Sequence, residues 1–396
     1  MKFLPQIVLV LASVALFSCN VDRRKTMPGT FTDPSLEKCI MEPDHSYYVC
    51  LPDQLPSGQK IALLIVIDPH GDGLTAMQKF KEALKDLPVV IAGSQKLRNN
   101  YSGFEVSLEN LKNDLLTKYP ADPQQIIVAG FSGGARMAYY YGMKHPVHGI
   151  IMFGAGPGQA GVLGQQKKIY AVSGTRDFNF SEQYRPLFND MQKRTNYVND
   201  YFRGIHTWPP ESYIRESVVF CLKEDSPPFK VSSQKYSKAF LSEAESLEGE
   251  NDLFFAGKAL EKAWYFATGN QQKSLPGKIE AFKSNPQWTA YQNKFEALLK
   301  SEEQKKSYYV QKLADPDTSW WSNELSTLLK QIDLSSDPAE TDYYYRLKGF
   351  LGIYLYSQIN GLLQNQPSSE IIHRLLWIYE KVEPDSEDLK KFKEKI

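Results

Sequence analysis

The sequence predicts a mostly parallel β-sheet covered by helices on both faces, followed by an all-α region, and three observations carry that reading. Short apolar runs rich in Val and Ile alternate with segments of helical periodicity from about residue 61 to residue 223, the arrangement that builds parallel strands joined by crossover helices. The pattern Gly130-Phe131-Ser132-Gly133-Gly134 sits where one such run meets a helical segment. Beyond a polar stretch with a double proline at 223–233, helical spacing recurs and no strand pattern does.

The first elements form a hairpin, with "KCIM" and "SYYVCLP" flanking a turn at Pro43-Asp44-His45. "KIALLIVIDP" is almost wholly apolar, as a strand buried on both faces should be. A helix over roughly 74–86, the strand "VVIAGS", a helix at about 105–118 and the strand "QIIVAGF" follow. The helix 135–144 leads to the strands "GIIMFGAG" and "KIYAVSGTRD", then a helix near 181–195, the last strand "VNDYFRGIH" and a helix at 210–223. Residues 36–223 thus make a sheet domain, 224–233 a linker, and 234–396 a helical domain with helices at about 234–247, 252–267, 288–300, 301–313, 319–332, 340–364 and 369–381. "AGKALEKAWYFATGN" and "YYYRLKGFLGIYLYSQINGLL" loosely resemble helices of tetratricopeptide-type arrays, without the full repeat signature. Their dense tyrosines are expected in inter-helix packing, and a protein partner of this domain is expected.

Lys and Arg number 46 against 46 Asp and Glu, so no net field recruits nucleic acid. The opening "MKFLPQIVLVLASVALFSCN" is shaped like a signal sequence, too short for a comfortable membrane span. Its L-F-S-C resembles a bacterial lipobox. That resemblance implies a signal peptide over 1–19, lipid attachment at Cys19, a tether over 20–35, and an extracytoplasmic protein anchored to the membrane, periplasm-facing and on the outer membrane. Cys39 and Cys50, placed across the hairpin, are either a disulfide or two buried thiols, and Cys221 belongs to a core helix. The cysteines and histidines lack the spacing of a zinc site, and neither metal nor organic cofactor is expected.

A serine hydroxyl becomes a nucleophile only when a base takes its proton and a third group orients that base. Ser132 between glycines, after the strand "QIIVAGF" and before a helix, fits a nucleophile elbow, in whose fold the acid and the histidine follow the serine in the chain. Of six histidines, His45 and His70 precede Ser132, His145 and His148 lie at the far end of the following helix, and His373 is in the helical region, which leaves His206. The acid is Asp177, just beyond a strand; Asp190 and Asp200 are placed on a helix and at a strand's start. An oxyanion would be met by the Gly133 amide and by that of Gly71 or Asp72 in "IDPHGDG". His70 braces that loop, while Phe178 and Trp208 border the expected cleft and are candidates for substrate contact.

Residues 45–223 resemble an α/β-hydrolase domain: "HGDG" is similar to the oxyanion loop, "GFSGG" to the elbow, "GTRD" to the acid turn and "GIHTWPP" to the histidine loop. The last of these resembles esterases of the polyhydroxybutyrate-depolymerase, feruloyl-esterase and dienelactone-hydrolase-like type. Ile205 departs from a second glycine common there, and the short loop after the sixth strand leaves little room for a cap domain. The resemblance implies a serine esterase working through an acyl-enzyme on an acylated saccharide or oligomeric ester. A catalytically idle scaffold and a peptidase are the rival readings.

Overall fold

The computed structural model describes residues 30–55, 58–156, 167–184, 196–224, 227–315, 319–365 and 370–396. The expected signal peptide, Cys19 and the expected tether up to residue 29 lie outside them, as do Asp190 and most of the helix expected at 181–195. Among the described residues no helix is long and apolar enough to cross a membrane.

Eight strands form one sheet: β1 (Ser35–Lys38), β2 (Ser46–Cys50), β3 (Ile61–Ile67), β4 (Val89–Ser94), β5 (Ala121–Phe131), β6 (Gly149–Phe153), β7 (Lys168–Gly174) and β8 (Tyr197–Phe202). Their order is β1-β2-β4-β3-β5-β6-β7-β8. The β1–β2 and β2–β4 pairings are antiparallel and the rest parallel, the arrangement of an α/β-hydrolase. Four helices cover it: α1 (Gly73–Leu84), α2 (Phe104–Lys118), α3 (Gly133–Lys144) and, after the short α4 (Phe180–Tyr184), α5 (Glu211–Leu222). On β3, Ala62, Leu64 and Val66 face Phe80 of α1 and Val218 of α5, whereas Leu63, Ile65 and Ile67 face Leu111 of α2 and Ala138 of α3. Both pleat faces are therefore apolar, and that is why this strand carries no polar alternation.

The hairpin register corrects the disulfide reading. Ser35 pairs with Val49 and Lys38 with Ser46, so Cys39 falls at the turn end of the hairpin and Cys50 at its open end. Cys39 packs on the α2 side of the sheet and Cys50 on the α1 side, and both are free, buried thiols. The tether is also shorter than expected, because Phe31 bridges to Pro52 and is buried.

Helices make up the rest: α6 (Pro227–Gly249), α7 (Leu253–Phe266), α8 (Gly269–Lys283), α9 (Pro286–Leu313), α10 (Ser319–Leu334), α11 (Pro338–Asn365), α12 (Glu370–Val382) and α13 (Glu387–Lys393). The linker expected at 224–233 is mostly the start of α6, since the proline pair sits at a helix N-terminus, where a missing N–H is harmless, and Phe229 is buried. A single 28-residue α9 replaces two expected helices, because its polar middle, Ser301-Glu302-Glu303, contains no breaker. The unexpected α8 is polar, with Pro276 inside and only Leu275 and Phe282 buried.

Phe229, Phe240, Phe266 and Leu275 share the core that covers β3 and α5, so the first helices of this region pack directly on the sheet domain. Among them lies a buried charge cluster: the Lys262 ammonium of α7 is 3.2 Å from Asp200 on β8 and 3.2 Å from Glu216 on α5, and the Tyr170 hydroxyl donates to Asp200 at 3.0 Å. Burial alone would discharge Lys262, but the two carboxylates overrule it and hold it charged. Burial pushes Glu216 up to about 7, against the pull of Lys262, with Asp200 and Glu243 adding to the rise.

A raised carboxyl value means that the folded state holds the proton more tightly than the unfolded chain, so Glu216 costs stability as pH climbs from its ordinary 4.5 towards about 7. Glu216→Gln should therefore flatten the melting temperature across that window and exceed wild type above it. Parallel melting profiles for the two proteins would show that Glu216 does not titrate there.

Candidate active site

The elbow is built by close approach of backbone. A Cβ on Gly130 would lie 2.3 Å from the Gly134 carbonyl carbon, and one on Gly134 would lie 2.2 Å from the Ile67 carbonyl oxygen, so only glycine lets α3 turn back against β3 and β5. Between them Ser132 takes φ 52° and ψ −116°, a conformation that costs about 1–3 kcal/mol for a side-chain-bearing residue. Its N–H donates to Phe153 O at 2.8 Å, which pins the strained residue to the neighbouring strand.

His206 stands in the loop after β8. Its Nε2 lies 3.1 Å from Ser132 Oγ and its Nδ1 2.9 and 3.0 Å from the two Asp177 oxygens. The imidazole sits between the rings of Phe131, at 4.7 Å, and Phe178, at 4.4 Å. Asp177 is fully buried and its carboxylate also accepts from the Asn179 N–H at 2.8 Å, while the Asn179 side chain donates to Gly154 O. The acid turn meets the histidine loop through Gly174, where a Cβ would fall 2.1 Å from Gly204 O. All three residues singled out from the sequence are thus brought together.

The rival side chains are occupied elsewhere. His145 stacks on Tyr141 and contacts Glu105, His148 reaches Cys221 O, His45 is buried against Ser94, and Asp200 belongs to the Lys262 cluster. Asp200 lies within β8 rather than at its start.

In the loop after β3, the Gly71 N–H donates to Asp68 O at 3.1 Å, closing a turn, and the Asp72 carboxylate caps α1 by accepting from Thr75 N. Gly133 is the first residue of α3, where the leading N–H groups have no partner within the helix. His70 braces the loop through its backbone N–H, which donates to Asp68 Oδ1 at 2.7 Å, while its ring is 83% exposed. Trp208 stacks on Phe131 and meets Phe80 and Phe153 edge-on, so much of its ring supports the floor under His206 rather than facing a substrate. Asn99, unremarkable in the sequence, lies over Gly133: its side-chain oxygen occupies the space a Cβ would need, and its backbone N–H donates to Pro69 O. Cavities of about 540 and 570 Å³ open beside Trp288 and beside Asp252, and neither is lined by Ser132 or His206. Among the described residues no cluster of His, Cys, Asp and Glu could hold a metal ion.

No family model and no curated protein matches the chain. Solved structures similar to it include an S-formylglutathione hydrolase of Staphylococcus aureus, 11% identical with a TM-score of 0.39, covering 50% of this chain and 98% of that one. A fluorophosphonate-binding serine hydrolase of the same organism is 13% identical, covers 50% of this chain and 99% of that one, and has a TM-score of 0.39. A bacterial heroin esterase is 12% identical, with 51% and 86% covered and a TM-score of 0.41.

The elbow packing distinguishes two adjacent glycines. Gly134→Ala should destabilise by about 1–3 kcal/mol, because the backbone of β3 must move, whereas Gly133→Ala need only displace the exposed Asn99 side chain. Thermal melts should rank the losses in that order, and equal melting temperatures would contradict the close contact at Gly134.

Proposed function

We propose that the protein is a serine hydrolase that cleaves a carboxylic ester through an acyl-enzyme. The observation that carries this reading is the unbroken relay from Ser132 Oγ through His206 to the buried Asp177. A scaffold has no need of such an arrangement. His206 removes the hydroxyl proton as Ser132 attacks the carbonyl carbon, then gives it to the leaving alcohol; water repeats the sequence in reverse to free the acid. Asp177 holds the imidazole in the right orientation and stabilises its charged form.

The oxyanion is assigned to the Gly133 N–H and, because that of Gly71 is engaged in its turn, to the Asp72 N–H. These two residues open or precede helices α3 and α1, whose N-terminal dipoles favour negative charge. His206 is one-fifth exposed, and Ile205 next to it in the chain, Asn99 over Gly133 and His70 in the loop after β3 are exposed. That open rim supports a bulky substrate, an acylated saccharide or an oligomeric ester. The same reading places the enzyme outside the cytoplasm, held to a membrane by acyl chains on Cys19 and facing the periplasm.

A fluorophosphonate probe tests the chemistry. Wild type should label, Ser132→Ala and His206→Ala should not, and Asp177→Asn should hydrolyse ester substrates about 10⁴-fold more slowly. A folded wild-type protein that stays unlabelled and hydrolyses none of a panel of acetyl, feruloyl and hydroxybutyryl esters would overturn the reading. For the anchor, Cys19→Ala in cells should move the protein from the membrane to the soluble fraction and abolish incorporation of labelled palmitate; retention of both would remove Cys19 from the account.

A further inference from the structure

The acid loop 175–178 is gripped from outside the sheet domain. Arg346, fully buried on α11, donates from Nη1 to Thr175 O at 2.7 Å and from Nε to Glu302 of α9 at 2.6 Å. Its guanidinium also lies over the ring of Phe180, 4.8 Å from the centroid. Lys306 of α9, paired with Glu302 at 2.6 Å, donates to Phe178 O at 3.1 Å. Arg176 donates to Asp342 of α11 at 2.8 Å and stacks over Tyr345. Each residue of the loop except Asp177 is therefore bonded to α9 or α11 through its backbone carbonyl or its side chain.

The sequence arranges this grip with helical spacing. Asp342, Tyr345, Arg346 and Gly349 fall at i, i+3, i+4 and i+7 and so share one face of α11, and the Phe178 ring packs on Gly349. Glu302 and Lys306 stand one turn apart on α9. Both faces converge on the segment that carries Asp177.

We propose that the helical region is a working part of the active site, with Arg346, Lys306 and Asp342 as positioning residues that fix the acid loop in the register where Asp177 meets both faces of its task, the His206 ring and the Asn179 N–H. This rests on the serine-hydrolase reading. It gives the helical region a role in turnover whether or not it also binds a partner.

The test uses the full chain and two readouts, the rate of phosphonylation by a fluorophosphonate and steady-state ester hydrolysis, with thermal melts as the check on folding. Lys306→Met and Asp342→Ala each remove one grip. Arg346→Met is made together with Glu302→Leu so that neither member of that fully buried pair is left without the other, although Lys306 also loses its carboxylate partner in this variant. In folded variants kcat and the labelling rate should fall about tenfold to a hundredfold with KM little changed, the scale set by a misplacement near 1 Å.

Because the three act through Asp177, each should cost less than about twofold further when added to Asp177→Asn. Lys393→Ala, which breaks an exposed pair between α13 and α12, should leave both rates unchanged. Folded Lys306→Met and Asp342→Ala proteins with wild-type rates, or losses that multiply in full on Asp177→Asn, would overturn the proposal while leaving the enzyme reading intact. An inert wild-type protein would instead remove the enzyme reading on which the proposal stands.

Discussion

Everything at this site follows from one strained residue. Ser132 is held at a positive φ, and the strain of about 1–3 kcal/mol persists only where the surroundings over-determine the backbone. Here they do so through the glycine contacts to β3 and α3 and the hydrogen bond to β6. That conformation sets the hydroxyl at the junction of β5 and α3. A parallel sheet then makes the remaining geometry available, because strands running the same way end along the same edge. Asp177 and His206 follow β7 and β8 at that edge, and their hydrogen bonds tie both loops to the serine.

The energetics of the helical region separate attachment from alignment. Phe180, Tyr201, Phe254 and Phe295 form a buried cluster joining α4, β8, α7 and α9. Each such ring stabilises by roughly 1.5–3 kcal/mol through burial, and the Phe240 and Phe266 contacts with the sheet core add to this. The buried Arg346–Glu302 pair contributes little net stability, since desolvating two charges offsets most of their attraction. The rings therefore supply the adhesion. The charges, whose hydrogen bonds have direction, are the groups proposed to set where the 175–178 loop lies.

The sheet and the meeting of Ser132, His206 and Asp177 were legible in the sequence, and the reasons are specific. A parallel strand buried on both faces leaves an unmistakable apolar run, as at Leu63-Leu64-Ile65-Val66, and the chain order expected for a nucleophile elbow narrowed six histidines to His206. Where contacts are set by partners distant in the chain, the sequence was mute. Cys39 and Cys50 seemed opposed until the register placed them at opposite ends and on opposite faces of the hairpin. Trp208 read as a cleft residue because an aromatic near a histidine has no local mark of the three phenylalanines it packs on. Asn99 carried no signal, and Arg346 looked like one more charge on a tyrosine-rich helix although it is wholly buried.

The placement of the grip has a mechanistic consequence. The helices hold the acid turn from outside while the sheet holds it from within, through the Thr175 N–H to Phe202 O and the Arg176 N–H to Gly204 O. A displacement of α11 would thus reach Asp177 and, through it, the His206 ring, while the elbow, fixed by backbone contacts to β3 and β6, would stay in place. In the proposed mechanism His206 works as base and then acid in both acylation and deacylation. A change in its alignment would slow both halves of the cycle together rather than trap the acyl-enzyme. Altered contacts at the elbow or the oxyanion loop would act on the tetrahedral intermediate instead. On the proposed reading the helical region bears on the rate of proton transfer, and it does so without contributing an atom to the reacting centre.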